Sequence, residues 1–192
     1  MISNETDLKY SGIKDGYLTA AVQCPSPNAN LRPQGQSVSL LVIHNISLPP
    51  GQFGTGCVKS FFTNQLDTSL DPYFQTIAEL QVSAHLFIER DGAITQFVPF
   101  EARAWHAGAS SFEGIANCND YSIGIELEGC DNIAYTDAQY NALAKVTRQI
   151  LVAYPLITSE RIVGHNQIAP ARKTDPGEAF DWDRFYKLLD DN

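Results

Sequence analysis

Basic residues are scarce in this sequence. The 192-residue chain has 13 lysines and arginines against 22 aspartates and glutamates, which gives a formal net charge of −9. Because nucleic acids and anionic membranes repel a surface this acidic, we expect neither as a partner. A small anionic substrate is compatible with the composition, since a local basic pocket can outweigh the overall field.

Targeting and membrane signals are also missing. Residues 1–9 lack both a basic and an apolar stretch, so we expect no secretory signal, and no run reaches the roughly 18 apolar residues of a membrane span. The four cysteines form no C-x-x-C pair, and a chain of this length does not depend on disulfides. The sequence therefore predicts reduced thiols in a cytoplasmic protein. The alternative is an exported protein with two disulfides whose signal has been removed.

The hydrophobic pattern predicts a single domain over residues 1–192, of α/β class, with a central mixed β-sheet and flanking helices. Residues 1–37 are rich in turn formers and are predicted to pack on it as irregular chain. The predicted strands are 38–44, 82–88, 94–98, 122–128 and the short segment 162–165. Helices are predicted at 136–152, where Thr136 and Gln139 form a capping box, and at 181–189.

Two of the four histidines end apolar runs and are followed by loops. These are His44 and His165, and the loop after His165 carries Lys173 and Asp175 between two prolines. Two histidines and one carboxylate form a zinc set of the catalytic type, which leaves the fourth position open for water or substrate. The alternative is a buried histidine together with a surface salt bridge between Lys173 and Asp175.

Other polar residues allow two interpretations each. His85 is predicted to be a buried, hydrogen-bonded histidine rather than a residue near the metal. Trp105 and His106 form a wall of a substrate groove or pack within their loop. Asn45 follows a candidate ligand and is predicted to hydrogen-bond the substrate. Arg172 contacts a substrate carboxylate or is a solvated surface charge.

Five segments, taken together and in order, carry a resemblance to a known family. They read VIHNIS at 42–47, VSAH at 82–85, RAWHAG at 103–108, NDYSIGIE at 119–126, and GH at 164–165 followed by RKTDPG at 172–177. From about residue 25 to about residue 185, the chain resembles the N-acetylmuramoyl-L-alanine amidases. Within that superfamily it is most similar to the AmpD-type 1,6-anhydro-N-acetylmuramyl-L-alanine amidases.

This resemblance implies roles for individual residues. It implies that His44, His165 and Asp175 bind Zn²⁺ at the base of a surface groove. Glu126 matches the catalytic acid of the family, and Lys173 matches its charge-stabilising lysine. Period-two alternation puts Glu128 on the same face as Glu126, so position alone leaves both open, and the family motif favours Glu126. The candidate substrate-binding residues are Asn45, Trp105, His106, Ala169 and Arg172.

The implied activity is hydrolysis of the amide bond between 1,6-anhydro-N-acetylmuramic acid and L-alanine in muropeptides. The resemblance places it in cytoplasmic peptidoglycan recycling, where it limits the muropeptide signal that induces β-lactamase, and we expect a monomer. One rival function is a non-catalytic peptidoglycan-binding module, which the full set of active-site residues argues against. Another is an exported amidase acting on intact cell wall, which the absent signal argues against. The chain has Gln81 and Asn117 where the family often has arginines that hold the peptide stem.

Overall fold

The computed structural model describes residues 12–191; residue 192 and residues 1–11, which contain the stretch without a signal pattern, lie outside this description. Within it, the strands are β1 (Ile13–Lys14), β2 (Tyr17–Leu18), β3 (Val22–Gln23), β4 (Ala29–Leu31), β5 (Leu40–Ile46), β6 (Leu86–Ile88), β7 (Ile94–Gln96), β8 (Ala102–Ala104), β9 (Ser111–Phe112), β10 (Ile115–Ala116), β11 (Ser122–Glu128) and β12 (Ile162–Gly164). The helices are α1 (Cys57–Phe62), α2 (Phe74–Ile77), α3 (Asp137–Ala153), α4 (His165–Ile168) and α5 (Trp182–Asp190). Two 3-10 turns are also present, at Cys118–Asp120 and Ser159–Arg161.

Six strands form a mixed sheet in the order β12-β5-β11-β6-β7-β3. The first four are parallel, β7 runs antiparallel to β6, and β3 pairs parallel with β7 at the edge. The predicted central mixed sheet is therefore confirmed. Strands β5 and β11 lie at its centre because their apolar residues are buried on both faces, as long parallel strands require.

The two faces of the sheet pack against different partners. Leu41 and Ile43 belong to the larger core, which also holds Leu143 of α3 and Phe185 of α5. Leu40 and Val42 alternate with them and face a smaller core. Because side chains alternate along a strand, His44 shares the second face, the one that α3 and α5 do not cover.

Both predicted long helices are present with local start signals. In α3 the hydroxyl of Thr136 accepts the N–H of Gln139, whose side chain returns to the N–H of Thr136, so the predicted capping box is confirmed. In α5 the carboxylate of Asp181 accepts the N–H of Arg184 at the N-terminus. Each helix begins one residue after its predicted start and ends one residue after its predicted end.

The N-terminal part differs from the irregular chain predicted for residues 1–37. Four short strands lie within its described part, and one of them, β3, is an edge strand of the main sheet. The side chain of Gln96 ties this segment to the sheet by accepting the N–H of Leu18 and donating to the carbonyl of Gly16. Strands of two or three residues are too short to show the alternation of apolar and polar side chains. The prediction for this segment therefore followed its many turn-forming residues.

The predicted strand 82–88 is shorter than expected, with only Leu86–Ile88 in the ladder. The N–H of Ser83 donates to the carbonyl of Trp105, so this part of the chain bonds to a loop instead of a strand.

No helix within residues 12–191 is long and apolar enough to cross a membrane. All four cysteines, Cys24, Cys57, Cys118 and Cys130, are free thiols, as predicted.

Candidate functional site

Three adjacent parallel strands bring the candidate residues together at their carboxyl ends. Glu126 in β11 lies directly opposite His44 in β5, and β12 ends at Gly164, opposite Ile43. His165 therefore follows β12 beside His44, as the first residue of α4. The carboxyl edge of a parallel sheet is where α/β proteins bind ligands, because loops rather than ladder bonds follow each strand.

The imidazoles of His44 and His165 and the carboxylate of Asp175 converge on one point. The two Nδ1 atoms are 2.9 Å apart, and Asp175 Oδ2 lies 3.1 Å from His44 Nδ1 and 3.0 Å from His165 Nδ1. One ligand atom from each residue lies within 4.8 Å of the others. The sequence alternative, an ion pair between Lys173 and Asp175, is not formed in the described part of the chain, where Asp175 contacts the two histidines.

The chemistry of these donors fits a divalent metal ion. His165 Nε2 lies 3.0 Å from the carbonyl oxygen of Ala107, which only accepts, so Nε2 carries a proton and Nδ1 is the nitrogen that can offer a lone pair to a metal ion. Burial is the main cause that lowers the pKa of His44 to about 4, so the His44 ring is neutral at pH 7. Ligand atoms bonded tetrahedrally to zinc at about 2.0 Å lie about 3.3 Å apart, close to the spacing seen here.

Asp175 is held by the loop that follows α4. Its carbonyl accepts the N–H of Asn166, and the carbonyl of the next residue, Pro176, accepts the hydroxyl of Tyr135 and the side-chain amide of Asn45. The same amide donates to the carboxylate of Asp131. Asn45 thus holds the loop that carries Asp175; it also lines the groove, and its predicted hydrogen bond to substrate stays a prediction.

The two acidic residues of β11 have different surroundings. The carboxylate of Glu128 accepts the N–H of Gly54 and the N–H of Arg90, and so fastens two loops to the sheet. Glu126 faces the groove, and its buried Oε2 has no hydrogen-bond partner within the described residues. Burial, followed by the charge of Asp175, raises the pKa of the Glu126 carboxyl well above its ordinary value, and Lys173 opposes this effect. A carboxyl that is unpaired and has a raised pKa is suited to proton transfer.

A groove of about 700 Å³ runs over this cluster and is lined by His165, Asp175, Glu126 and Lys173. Trp105 also lines it, with its indole N–H donating to Asn30, and its contact with substrate stays a prediction. An apolar part of the lining comes from α1, α2 and neighbouring segments, through Leu48, Phe61, Phe62, Tyr73, Ile77, Leu80 and Val82.

The sequence did not predict α1 or α2, and so it missed this apolar wall. The signal was present in α1, because Val58, Phe61 and Phe62 have the i, i+3, i+4 spacing of a helix face and are all buried. The six-residue length of α1 made the period hard to detect. The loop after β5 contributes Leu48 and Pro50 to the groove.

Three predicted substrate-binding residues have other contacts. His106 is buried but is among the residues that line the groove, and its Nδ1 lies 2.9 Å from His44 Nε2 and its Nε2 3.1 Å from Ser122 Oγ; contact with substrate stays a prediction. Ala169 is buried and is not among the residues that line the groove. Arg172 is exposed and lines the groove, but one of its nitrogens, Nη2, donates to the carbonyls of Ala107 and Ala109.

His85 is a buried structural histidine. Its Nδ1 accepts the N–H of Gly124, and its Nε2 donates to the carbonyl of Ala102 at 3.1 Å. Burial, followed by the charge of Arg32, lowers the pKa of His85 to about 3 and keeps the ring neutral. These contacts match the structural interpretation that the sequence favoured.

Comparison with known proteins places this geometry in a family. The N-acetylmuramoyl-L-alanine amidase family model matches residues 34–178. The 1,6-anhydro-N-acetylmuramyl-L-alanine amidase AmpD of Salmonella typhimurium (strain SL1344) is 55% identical over 174 residues, which cover 91% of this chain and 92% of that protein. A crystal structure of a selenomethionine derivative of AmpD superposes with a TM-score of 0.90 at 54% identity, covering 92% of this chain and 98% of that one. The amidase AmiD of E. coli, in complex with its substrate anhydro-N-acetylmuramic acid-L-Ala-D-γ-Glu-L-Lys, superposes with a TM-score of 0.57 at 30% identity, covering 82% of this chain and 60% of that one.

Proposed function

This chain belongs to the N-acetylmuramoyl-L-alanine amidase family, and on that premise we propose that it is a zinc-dependent enzyme that cleaves the amide bond between 1,6-anhydro-N-acetylmuramic acid and L-alanine in muropeptides. The observation that carries the proposal is the convergence of two imidazole nitrogens and one carboxylate oxygen at a groove that Glu126 and Lys173 also line. His44, His165 and Asp175 would hold the ion. When bound, zinc supplies Lewis acidity that activates water and polarises the scissile carbonyl.

The side chains around the groove supply the proton transfers. Glu126 accepts a proton from the attacking water as the oxygen adds to the lactyl carbonyl carbon. The Lys173 ammonium stabilises the negative charge that develops on the carbonyl oxygen. Glu126 then gives its proton to the alanine nitrogen as the C–N bond breaks. The products are the carboxylate of the anhydro sugar and the free peptide amine.

Lys173 is expected to act on the transition state and not on the metal. Replacing it with methionine keeps most of the aliphatic length and removes the charge, and we expect kcat to fall by about a hundredfold or more. Zinc stoichiometry is expected to stay at the wild-type value, since Lys173 is not a ligand. Steady-state kinetics with parallel elemental analysis measures both. Loss of zinc from Lys173→Met would contradict this role.

Soluble muropeptides are the proposed substrates, and the cytoplasm the proposed setting. The similar AmiD was bound to an anhydromuramyl tripeptide, and the four free cysteines are compatible with a reducing compartment. The 1,6-anhydro ring is compact and cannot continue into a glycan strand at that end. A pocket shaped to it by Trp105 and the apolar residues of the groove would exclude polymeric glycan by steric clash. Such an enzyme would remove the muropeptides that induce β-lactamase in recycling bacteria.

Mass spectrometry of the products tests the proposal. The purified protein is given anhydromuramyl-tripeptide and intact sacculi in separate reactions. We expect rapid release of free tripeptide from the soluble fragment and little release from sacculi, because a steric block discriminates more strongly than a single lost contact, which gives about a hundredfold. Comparable specific activity on both would favour an exported wall hydrolase. Binding of the fragment without cleavage would favour a peptidoglycan-binding module.

A further inference from the structure

A chain of hydrogen bonds extends from the metal-binding cluster through His106, which also lines the groove, to the backbone at Cys118. It begins at His44 Nε2, which lies 2.9 Å from His106 Nδ1. From there it continues through His106 Nε2, 3.1 Å from Ser122 Oγ, and ends where Ser122 Oγ donates to the carbonyl oxygen of Cys118 at 2.6 Å. All three side chains are buried.

The last contact sets the direction of every proton in the chain. A carbonyl oxygen only accepts, so the hydroxyl proton of Ser122 points at Cys118 and its oxygen accepts from His106 Nε2. His106 therefore carries its proton on Nε2 and presents a lone pair at Nδ1. That lone pair accepts the proton of His44 Nε2, and this leaves His44 Nδ1 without a proton.

We propose that His106 is a positioning residue, which fixes the tautomer and the ring plane of His44 so that the Nδ1 lone pair points at the metal. This rests on the proposed zinc site. Metal-bound histidines commonly donate their other N–H to a fixed acceptor, and loss of that acceptor weakens metal binding by about 10–100-fold. A carboxylate or a carbonyl usually supplies it; here a second neutral imidazole does. Without His106, the His44 proton would be left unsatisfied at Nε2 or would move to Nδ1, where it faces the ligand cluster.

The neighbouring backbone is shaped for this role. A Cβ atom on Gly124 of β11 would lie 2.5 Å from the His106 ring, so only glycine lets the ring pack flat against the sheet beside His44. The amide oxygen of Asn119 accepts the N–H of His106 and the N–H of Ala107. The carbonyl of Ala107 in turn accepts the proton of His165 Nε2. Two consecutive residues, held by one asparagine, therefore orient both histidine ligands.

Two replacements of His106 separate positioning from simple packing. His106→Leu keeps a side chain of similar volume, but leucine is apolar and has no hydrogen-bond acceptor. His106→Asn is smaller, but its side-chain oxygen occupies nearly the place of Nδ1 and accepts from His44 Nε2. His85→Gln is the matched control, because His85 is an equally buried histidine that packs edge-on against His106 but makes its own hydrogen bonds to Gly124 and Ala102 and not to the ligands. A role in packing alone predicts that the smaller asparagine is the more damaging of the two.

The zinc dissociation constant, measured by competition with a fluorescent chelator, is the readout. We expect His106→Leu to weaken zinc binding by about 10–100-fold, and His106→Asn and His85→Gln to stay within about threefold of the wild type. Long-range ¹H–¹⁵N spectra of the zinc-loaded wild type are expected to show the His44 proton on Nε2. Circular dichroism of the metal-free variants confirms that they are folded.

Wild-type affinity in a folded His106→Leu protein would overturn the role of His106 and leave the zinc site intact. Equal weakening in His106→Leu and His106→Asn would also overturn it, because the restored acceptor would then have no effect. A wild-type protein that binds no zinc would instead overturn the proposed metal site, and the inference with it.

Discussion

Glu126→Gln is expected to lower kcat by about 10²–10⁴-fold while leaving zinc bound, because an amide cannot accept the proton of water. Glutamine has nearly the same shape, so the groove and the ligands stay in place. Steady-state kinetics and elemental analysis test this directly. Glu128→Gln is the matched control on the same face of β11: its carboxylate bonds to Gly54 and Arg90, so we expect lower stability and nearly unchanged turnover. The reverse pattern would make Glu128 the proton shuttle.

The same Glu126 substitution is expected to stabilise the metal-free protein at neutral pH. Burial raises the pKa of Glu126 in the folded state, so the native protein holds this proton more tightly than the unfolded chain does. The stability of the wild type therefore falls as the pH rises from the unfolded value, about 4.3, toward the folded value, by up to about 1.4 kcal/mol per pH unit between them. Glutamine does not titrate, and the two proteins should converge in acid. Urea denaturation across this pH range measures the difference; a variant less stable than the wild type at pH 7 would contradict it.

His165→Ala is expected to abolish metal binding and turnover together. His165 supplies one of three proposed ligands, and two donors hold zinc poorly at the concentrations of an assay. Elemental analysis of protein purified without added metal should give about one zinc per wild-type chain and almost none for the variant. The wild type should also gain stability on zinc addition, about 2.7 kcal/mol at a hundredfold excess over the dissociation constant, whereas the variant should gain none.

His85→Ala provides the comparison for this ligand variant. His85 is as buried as His165, but it bonds to the backbone of Gly124 and Ala102. We expect it to lose stability by about 1–3 kcal/mol, because buried polar groups lose their partner, and to keep its zinc. Full activity in the presence of a strong chelator, or a His165→Ala protein with normal zinc content, would refute the metal site.

Much of the fold depends on local pattern, which explains why the sequence alone predicted it. The apolar runs of β5 and β11 require burial on both faces, and Thr136 and Gln139 satisfy the N–H groups at the start of α3 within a single turn. The candidate ligands His44 and His165 were recognisable because each ends an apolar run. These features involve neighbours in the chain, so residue type and spacing are enough to indicate them.

What a polar side chain bonds to was decided only by the tertiary structure. His106 and Asn45 both line the groove, but the sequence could not indicate that His106 bonds to a histidine 62 residues away or that Asn45 bonds to a carbonyl 131 residues away. Glu126 and Glu128 share a strand face, and only the loops folded over that face leave one carboxylate unpaired and satisfy the other. A hydrogen bond forms only between groups that the fold brings within about 3 Å of each other, and these groups are often far apart in the chain. The alternation of side chains along a strand says which face a residue is on, but not which distant group lies beside it.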